Sequence, residues 1–200
     1  MVATAPAPPS SAPRRRYTVQ EYLEIERKTG EKHIFLNGIV LPMAGAKPSH
    51  IRITRNVLVE LCNALAERDD AEAFPNDTKI YLPLFRHYYY PDALAVVGKA
   101  EFSDDEAGAI TNPILIVEVL SDSTAAFDKG QKFGEYKILP SFREHVLIYQ
   151  DSAQVDSYLR DEQGDWQKSS VTGPDQSILF QSIGVQVTLS SIYRHVEMAP

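Results

Sequence analysis

The sequence predicts a single α/β domain, and three observations lead there. Residues 114–120 read Ile-Leu-Ile-Val-Glu-Val-Leu, the near-continuous apolar run of a central strand buried on both faces. Ile53, Val57, Leu61 and Leu65 recur at every fourth position, the spacing of an amphipathic helix. Strand-like and helix-like segments then share the chain, with no internal repeat and no linker after residue 17. Two hundred residues are enough for one large domain to bury roughly 70% of its unfolded surface. Such a core needs neither a disulfide nor a structural metal.

Residues 1–16, MVATAPAPPSSAPRRR, carry four prolines and no acid, and read as a disordered leader. The arginines come last and no apolar stretch precedes them, so this is no secretory signal. Arg14–Arg16 reads as a solvated charge cluster at the junction, with contact to a phosphate backbone as the alternative. The ordered domain is expected over residues 17–200. Thr18-Val-Gln-Glu21 is a capping box, opening a helix that runs to about Lys28 and ends at Gly30. Asn37-Gly38, flanked by apolar residues, signals a hairpin turn of the I′ type. Pro48-Ser49 opens the long helix, whose pattern stops near Asp69.

Strands follow at Ile80–Leu82 and Ala93–Val97, separated by an aromatic stretch ending at Tyr90-Pro91-Asp92. Residues 99–113 form an acidic loop before the central strand. Residues 124–138 fit a helix bounded by Pro140. His145–Tyr149, Val155–Leu159 and Trp166–Val171 read as strands, the last two joined by the Gly164 turn over Asp161–Asp165. Val185–Leu189 is a final strand, leading into a short helix that ends near Val196.

Composition narrows the class. A hydrophobic fraction of 44% and a charged fraction of 24% are globular averages and exclude global disorder and collagen-like repeats. No apolar stretch is long enough to cross a membrane, so no membrane partner is expected. The single cysteine, Cys62, suits a reducing compartment, and a cytoplasmic location is expected. The leader holds three of the 20 basic residues and none of the 27 acids, which leaves −10 on residues 17–200. Long-range attraction therefore does not favour nucleic acid.

Four positions carry the chemistry: Asp92, Glu118, Asp128 and Lys132. Glu118 is a charge inside an apolar strand, which costs several kcal/mol unless paired or bound to a metal. Two acids converging from adjacent strands suit a hard divalent cation. Such an ion polarises a phosphate and acidifies a bound water. The alternative is a structural salt bridge at Glu118. Asp128, Lys132 and Tyr136 recur every four residues and share a helix face. A lysine there could stabilise developing phosphate charge, or form an ordinary ion pair. The Ser121–Thr124 segment could cap the same helix.

The ordered series Tyr90-Pro91-Asp92, Asn112-Pro113, Glu118-Val-Leu-Ser121, Ser123-Thr124, Asp128, Lys132-Phe133 and Tyr136 resembles the Uma2 restriction endonuclease family. That family belongs to the PD-(D/E)XK nuclease superfamily. The resemblance runs from about Tyr17 to Val196 and takes in the Asn37-Gly38 hairpin, His50 and the Glu144–Ile148 segment. It implies a restriction-endonuclease-like α+β fold, a central mixed sheet flanked by helices, and magnesium-dependent hydrolysis of DNA, with manganese as a substitute. By motif position Asp92 and Glu118 are the metal-binding acids, and the Val119 carbonyl is a further ligand. The superfamily lysine would fall at Leu120, so the resemblance moves that role to Lys132, with Lys137 as a weaker candidate. His50, Asp128 and Tyr136 are assigned to substrate contact or support. Relatives place a glutamate four residues before the hairpin glycine, where this chain has Ile34.

Three functions compete on this basis. The first is a metal-dependent endonuclease acting on DNA, expected as a homodimer because two strands must be cut. The second is a degenerate nuclease domain that binds or regulates. The third is a homo-oligomeric scaffold without nucleic acid.

Overall fold

The computed structural model describes residues 15–197. The expected leader lies outside that range except for its last two arginines. Arg15 pairs with Glu21, and Arg16 Nη1 donates to the Asn37 carbonyl at 2.9 Å.

Helix α1 (Val19–Thr29) starts at the capping box, with Thr18 Oγ1 accepting from the Glu21 amide and the Glu21 carboxylate accepting from the Thr18 amide. It ends at Gly30, whose φ of 68° is left-handed. Strands β1 (His33–Leu36) and β2 (Ile39–Pro42) pair as a two-residue hairpin. Asn37 and Gly38 both have positive φ, 46° and 95°, as the I′ turn requires. Helix α2 (Pro48–Leu65) begins with proline, whose missing amide is no loss in a first turn. It buries Ile53, Val57, Leu61 and Leu65.

Three strands were not legible in advance. Strand β3 (Ala71–Pro75) is an edge strand paired to β6 (Ala93–Val97), and edges tolerate its weak composition and terminal proline. Strand β5 (His87–Tyr89) lies within the aromatic stretch and pairs with β1 and with β4 (Ile80–Leu82). Its aromatic residues, not an aliphatic alternation, hold it in place. Strand β7 (Leu115–Leu120) is buried along its whole length, as the apolar run demands. The expected helix over 124–138 is α3 (Ala125–Phe127), a π turn at Asp128–Lys132 and α4 (Phe133–Tyr136) in succession.

Strands β8 (Glu144–Tyr149), β9 (Gln154–Arg160) and β10 (Trp166–Thr172) complete the main sheet. Its order is β10-β9-β8-β7-β6-β3, with β7 and β8 parallel and every other pair antiparallel. The parallel pair requires a crossover, which the α3–α4 segment supplies. Strands β11 (Ser177–Phe180), the third missed, and β12 (Val185–Thr188) form a hairpin before α5 (Leu189–Ile192).

Alternation along β7 sorts the two faces. Leu115, Val117 and Val119 meet α2, the last hairpin and α5. Ile116 packs on the other face with Phe133, Tyr136, Leu139 and Phe142 from the crossover. Glu118 is in phase with Ile116, so its side chain enters the layer between sheet and crossover.

Candidate active site

Tyr90-Pro91-Asp92 joins β5 to β6, so proline sets the entry into the strand and Asp92 stands at its mouth. The Asp92 amide donates to the Val117 carbonyl at 3.1 Å, which ties it to the central strand. Its carboxylate then accepts three bonds. Oδ2 takes the Val119 amide at 2.7 Å, while Oδ1 meets His50 Nε2 at 2.8 Å and takes the Thr54 hydroxyl at 3.3 Å. His50 and Thr54 are one turn apart on the first half of α2, so that helix orients the acid.

Glu118 is 3% exposed. Its Oε1 accepts from Lys132 Nζ at 3.0 Å and from the Tyr136 hydroxyl at 2.9 Å. Lys132 Nζ also lies 2.9 Å from Asp128 Oδ1, and all three ionic groups are buried. One ammonium thus sits between two carboxylates, and if all three are ionised the cluster is negative. Burial pushes the Glu118 carboxyl up to about 8; Lys132 pulls against that rise, while Asp128 and Asp92 add to it. Burial alone would lower Lys132, but Glu118 and Asp128 outweigh it and hold the ammonium above its usual range. The Tyr136 phenol is raised by burial and by Glu118, so it stays a donor.

The four-residue spacing of Asp128, Lys132 and Tyr136 therefore converges on Glu118. The π turn widens the helix there and keeps Asp128 and Lys132 on the inner side, a distortion that recurs at functional sites. The salt-bridge reading of Glu118 is met as well, since Lys132 pairs with it. Glu118 Oε2 takes no hydrogen bond from a described residue. Asp92 precedes Ala93, which pairs with Val117, so it falls across from Glu118. His50 and Thr54 of α2 hold its carboxylate, and Lys132 and Tyr136 of the crossover hold that of Glu118. Among the described residues, no three His, Cys, Asp or Glu side chains are arranged to hold a metal ion. The donor chemistry still fits a small hard cation, because two carboxylates and the Val119 carbonyl are oxygen ligands and magnesium keeps much of its own water.

Two expectations are corrected. Lys137 does not reach the acids; its ammonium lies 4.1 Å from the Phe133 ring centroid and 5.4 Å from that of Trp166. Ser121–Thr124 gives no side-chain cap to α3, because the Ser121 hydroxyl bonds Ser123 and Thr124 instead. Ile34 packs partly buried against the crossover-side cluster that includes Tyr89 and Tyr136, so the position lost from the family pattern faces this layer.

Sequence reasoning missed a second polar cluster alongside. Glu135 Oε2 meets His87 Nδ1 at 2.7 Å and accepts from the Tyr89 hydroxyl at 2.8 Å, while Gln131 Nε2 donates to Oε1 at 2.9 Å. The alternation of His87 and Tyr89 ahead of Pro91-Asp92 was the available signal. The Lys132 ammonium lies 5.8 Å from the Tyr89 ring centroid, which links the two clusters.

Known proteins resemble this chain along most of its length. The uncharacterized protein sll1609 of Synechocystis sp. is 36% identical over 163 residues, covering 82% of this chain and 92% of that protein. A second uncharacterized Synechocystis protein, slr1290, is 32% identical over 194 residues, covering 97% of this chain and 98% of its own length. The crystal structure of a "putative nuclease" from Anabaena variabilis superposes with a TM-score of 0.68 at 17% identity, over 88% of this chain and 97% of that one. The fold is restriction-endonuclease-like. The Uma2 model, described as "Putative restriction endonuclease", matches residues 19–190, and the chain belongs to that family.

Proposed function

We propose that this protein is a metal-dependent endonuclease that hydrolyses phosphodiester bonds of DNA, acting in the cytoplasm as a homodimer. The observation that carries the reading is Glu118, a carboxylate in the interior of the central strand with one oxygen held by Lys132 and Tyr136 and the other taking no hydrogen bond among the described residues. The ion pair to Lys132 uses one oxygen only, and a second acid, Asp92, lies one residue beyond the Ala93–Val117 pair on the neighbouring strand.

In this reading Asp92, Glu118 and the Val119 carbonyl hold magnesium or manganese. When bound, the ion supplies charge that polarises the phosphate and acidifies a water molecule. The chain's own groups do the rest. His50 and Thr54 fix Asp92 toward the central strand, and Tyr136 fixes Glu118. Lys132 keeps its charge and would stabilise negative charge developing on the phosphate, with Asp128 holding the ammonium in place. Buried and pre-oriented, these groups need little reorganisation during the reaction.

A second reading, a non-catalytic binding domain, is favoured by Ile34, which puts an alkyl side chain where relatives have an acid. A plasmid-nicking assay separates the two. The expected result is weak cleavage, greater with manganese than with magnesium, lost in Asp92→Ala and in Glu118→Ala. Ile34→Glu is expected to raise the rate. Cleavage that survives either alanine substitution removes these acids from the mechanism, and no cleavage in any metal favours the binding domain.

A further inference from the structure

At the other end of the crossover, a pocket of about 480 Å³ lies between the end of α4, the start of β8 and the β9–β10 turn. Lys137, Arg143 and Arg160 line it together with Asp161, Glu162 and Gly164. Arg143 and Arg160 are cross-strand neighbours, since the Arg160 amide donates to the Arg143 carbonyl at 2.8 Å, just beyond the Glu144–Leu159 pair. Like charges placed opposite one another destabilise a sheet. Among the described residues none of the three cations forms an ion pair, and Arg160 Nε is buried without a hydrogen-bond partner.

The acids on the wall do not explain the cluster. Asp161 is committed to its own turn, with Oδ1 accepting from the Asp165 amide at 2.8 Å and Oδ2 from Gln167 Nε2 at 3.0 Å. Glu162 makes no ion pair within the described residues. Lys137 is held in place by the faces of Phe133 and Trp166 rather than by a carboxylate. An acidic protein has carboxylates in excess, yet among the described residues these three cations line a concavity whose two acids pair with none of them.

We infer that this pocket is a binding site for a phosphate-class oxyanion, gripped by Arg143 and Arg160 with Lys137 as the third donor. Two guanidinium groups offer paired donors that match phosphate oxygens, and the incoming charge relieves their mutual repulsion. The shared chemistry has two sources, a free phosphate or a backbone phosphate of nucleic acid held away from Asp92 and Glu118. The inference does not depend on catalysis at those acids.

Trp166 is the sole tryptophan and lies against Lys137, so its fluorescence reports on the pocket directly. The test titrates the full-length protein at low ionic strength with inorganic phosphate and, separately, with a short DNA duplex. A saturable change in Trp166 emission is expected, together with a rise in Tm, since a ligand of the native state stabilises it. Arg143→Gln combined with Arg160→Gln is expected to weaken the response at least tenfold, while the variant without phosphate melts no lower than the parent. Lys137→Gln, an exposed change, serves as a milder second variant and is expected to weaken the response severalfold. A response to phosphate but not to the duplex assigns the site to a free anion, and a response to the duplex at much lower concentration assigns it to a backbone phosphate. No response to either probe, or a response unchanged in the variants, overturns the inference.

Discussion

Lys132→Met is expected to cost about 3–5 kcal/mol of stability at neutral pH, the usual effect of removing one partner from a buried ionic cluster. Among the described residues Lys132 is the one cation paired with both Glu118 and Asp128, at 3.0 and 2.9 Å, and both acids are buried. Without it two carboxylates face each other in an apolar layer, and at least one must take up a proton. Glu118 is already raised to about 8, so it is the group that does so. The sign follows from its direction. A carboxyl whose folded value lies above its unfolded value of 4.5 binds more protons in the native state, so stability falls as pH rises from 4.5 through the folded value. In Lys132→Met the pull toward ionisation is gone, the folded value rises further, and the loss grows between pH 5 and pH 8. Urea unfolding in metal-free buffer at those two pH values measures it. Glu118→Gln in the same chain should recover a substantial part at pH 8, because the charge that Lys132 balanced is gone as well. A loss below about 1 kcal/mol, typical of surface ion pairs, would mean that Lys132 turns to solvent.

The buried layer explains why some of this protein was legible in its sequence and some was not. Glu118 stood out because the residues around it, Ile114 to Leu120, admit no solvated face; a charge there must have a partner. Its partner Lys132 was legible through the four-residue interval to Asp128 and Tyr136, although the π turn that carries it was not. The π turn is only 5 residues long between helical pieces of 3 and 4, too short a segment for its shift of the apolar face to show in the sequence. The strands that were missed have other causes. Ala71–Pro75 pairs with β6 and carries Ala, Glu and Pro, which are weak strand formers. His87–Tyr89 and Ser177–Phe180 carry aromatic and apolar residues but span only 3 and 4 residues, too few for an alternation to show. Glu135 escaped notice for the same reason as His87 and Tyr89. Their convergence depends on β5 joining a sheet that local sequence does not foretell.

A buried histidine is expected to contribute to the acid sensitivity of the fold. His145 lies on β8, fully enclosed, with its ring 4.7 Å from Phe133, 5.9 Å from Tyr136 and 6.1 Å from Phe142 between centroids. Neither ring nitrogen has a hydrogen-bond partner among the described residues. Burial, with the charges of Lys132 and Lys137 nearby, lowers its pKa from 6.5 to about 3. The imidazole is therefore neutral in the native state while the unfolded chain takes up a proton below pH 6.5, so stability falls as pH drops from 6.5 toward 3. Two pH units below the unfolded value, the loss from this residue alone is about 3 kcal/mol. His145→Leu keeps a similar volume, removes two unpartnered polar atoms and abolishes the titration. At pH 7 the variant should equal or exceed the parent, and by pH 4.5 its advantage should widen by about 3 kcal/mol. Urea midpoints for the two proteins from pH 7 to pH 4 read this difference directly, and other acid-labile carboxylates cancel because both chains share them. Glu118 works in the opposite sense over pH 4.5 to 8, so in the parent the two slopes offset each other between 4.5 and 6.5, and His145→Leu should expose the Glu118 slope there. A difference that stays constant with pH would show that His145 finds a partner or water in the folded protein, and that the aromatic layer over β8 is open.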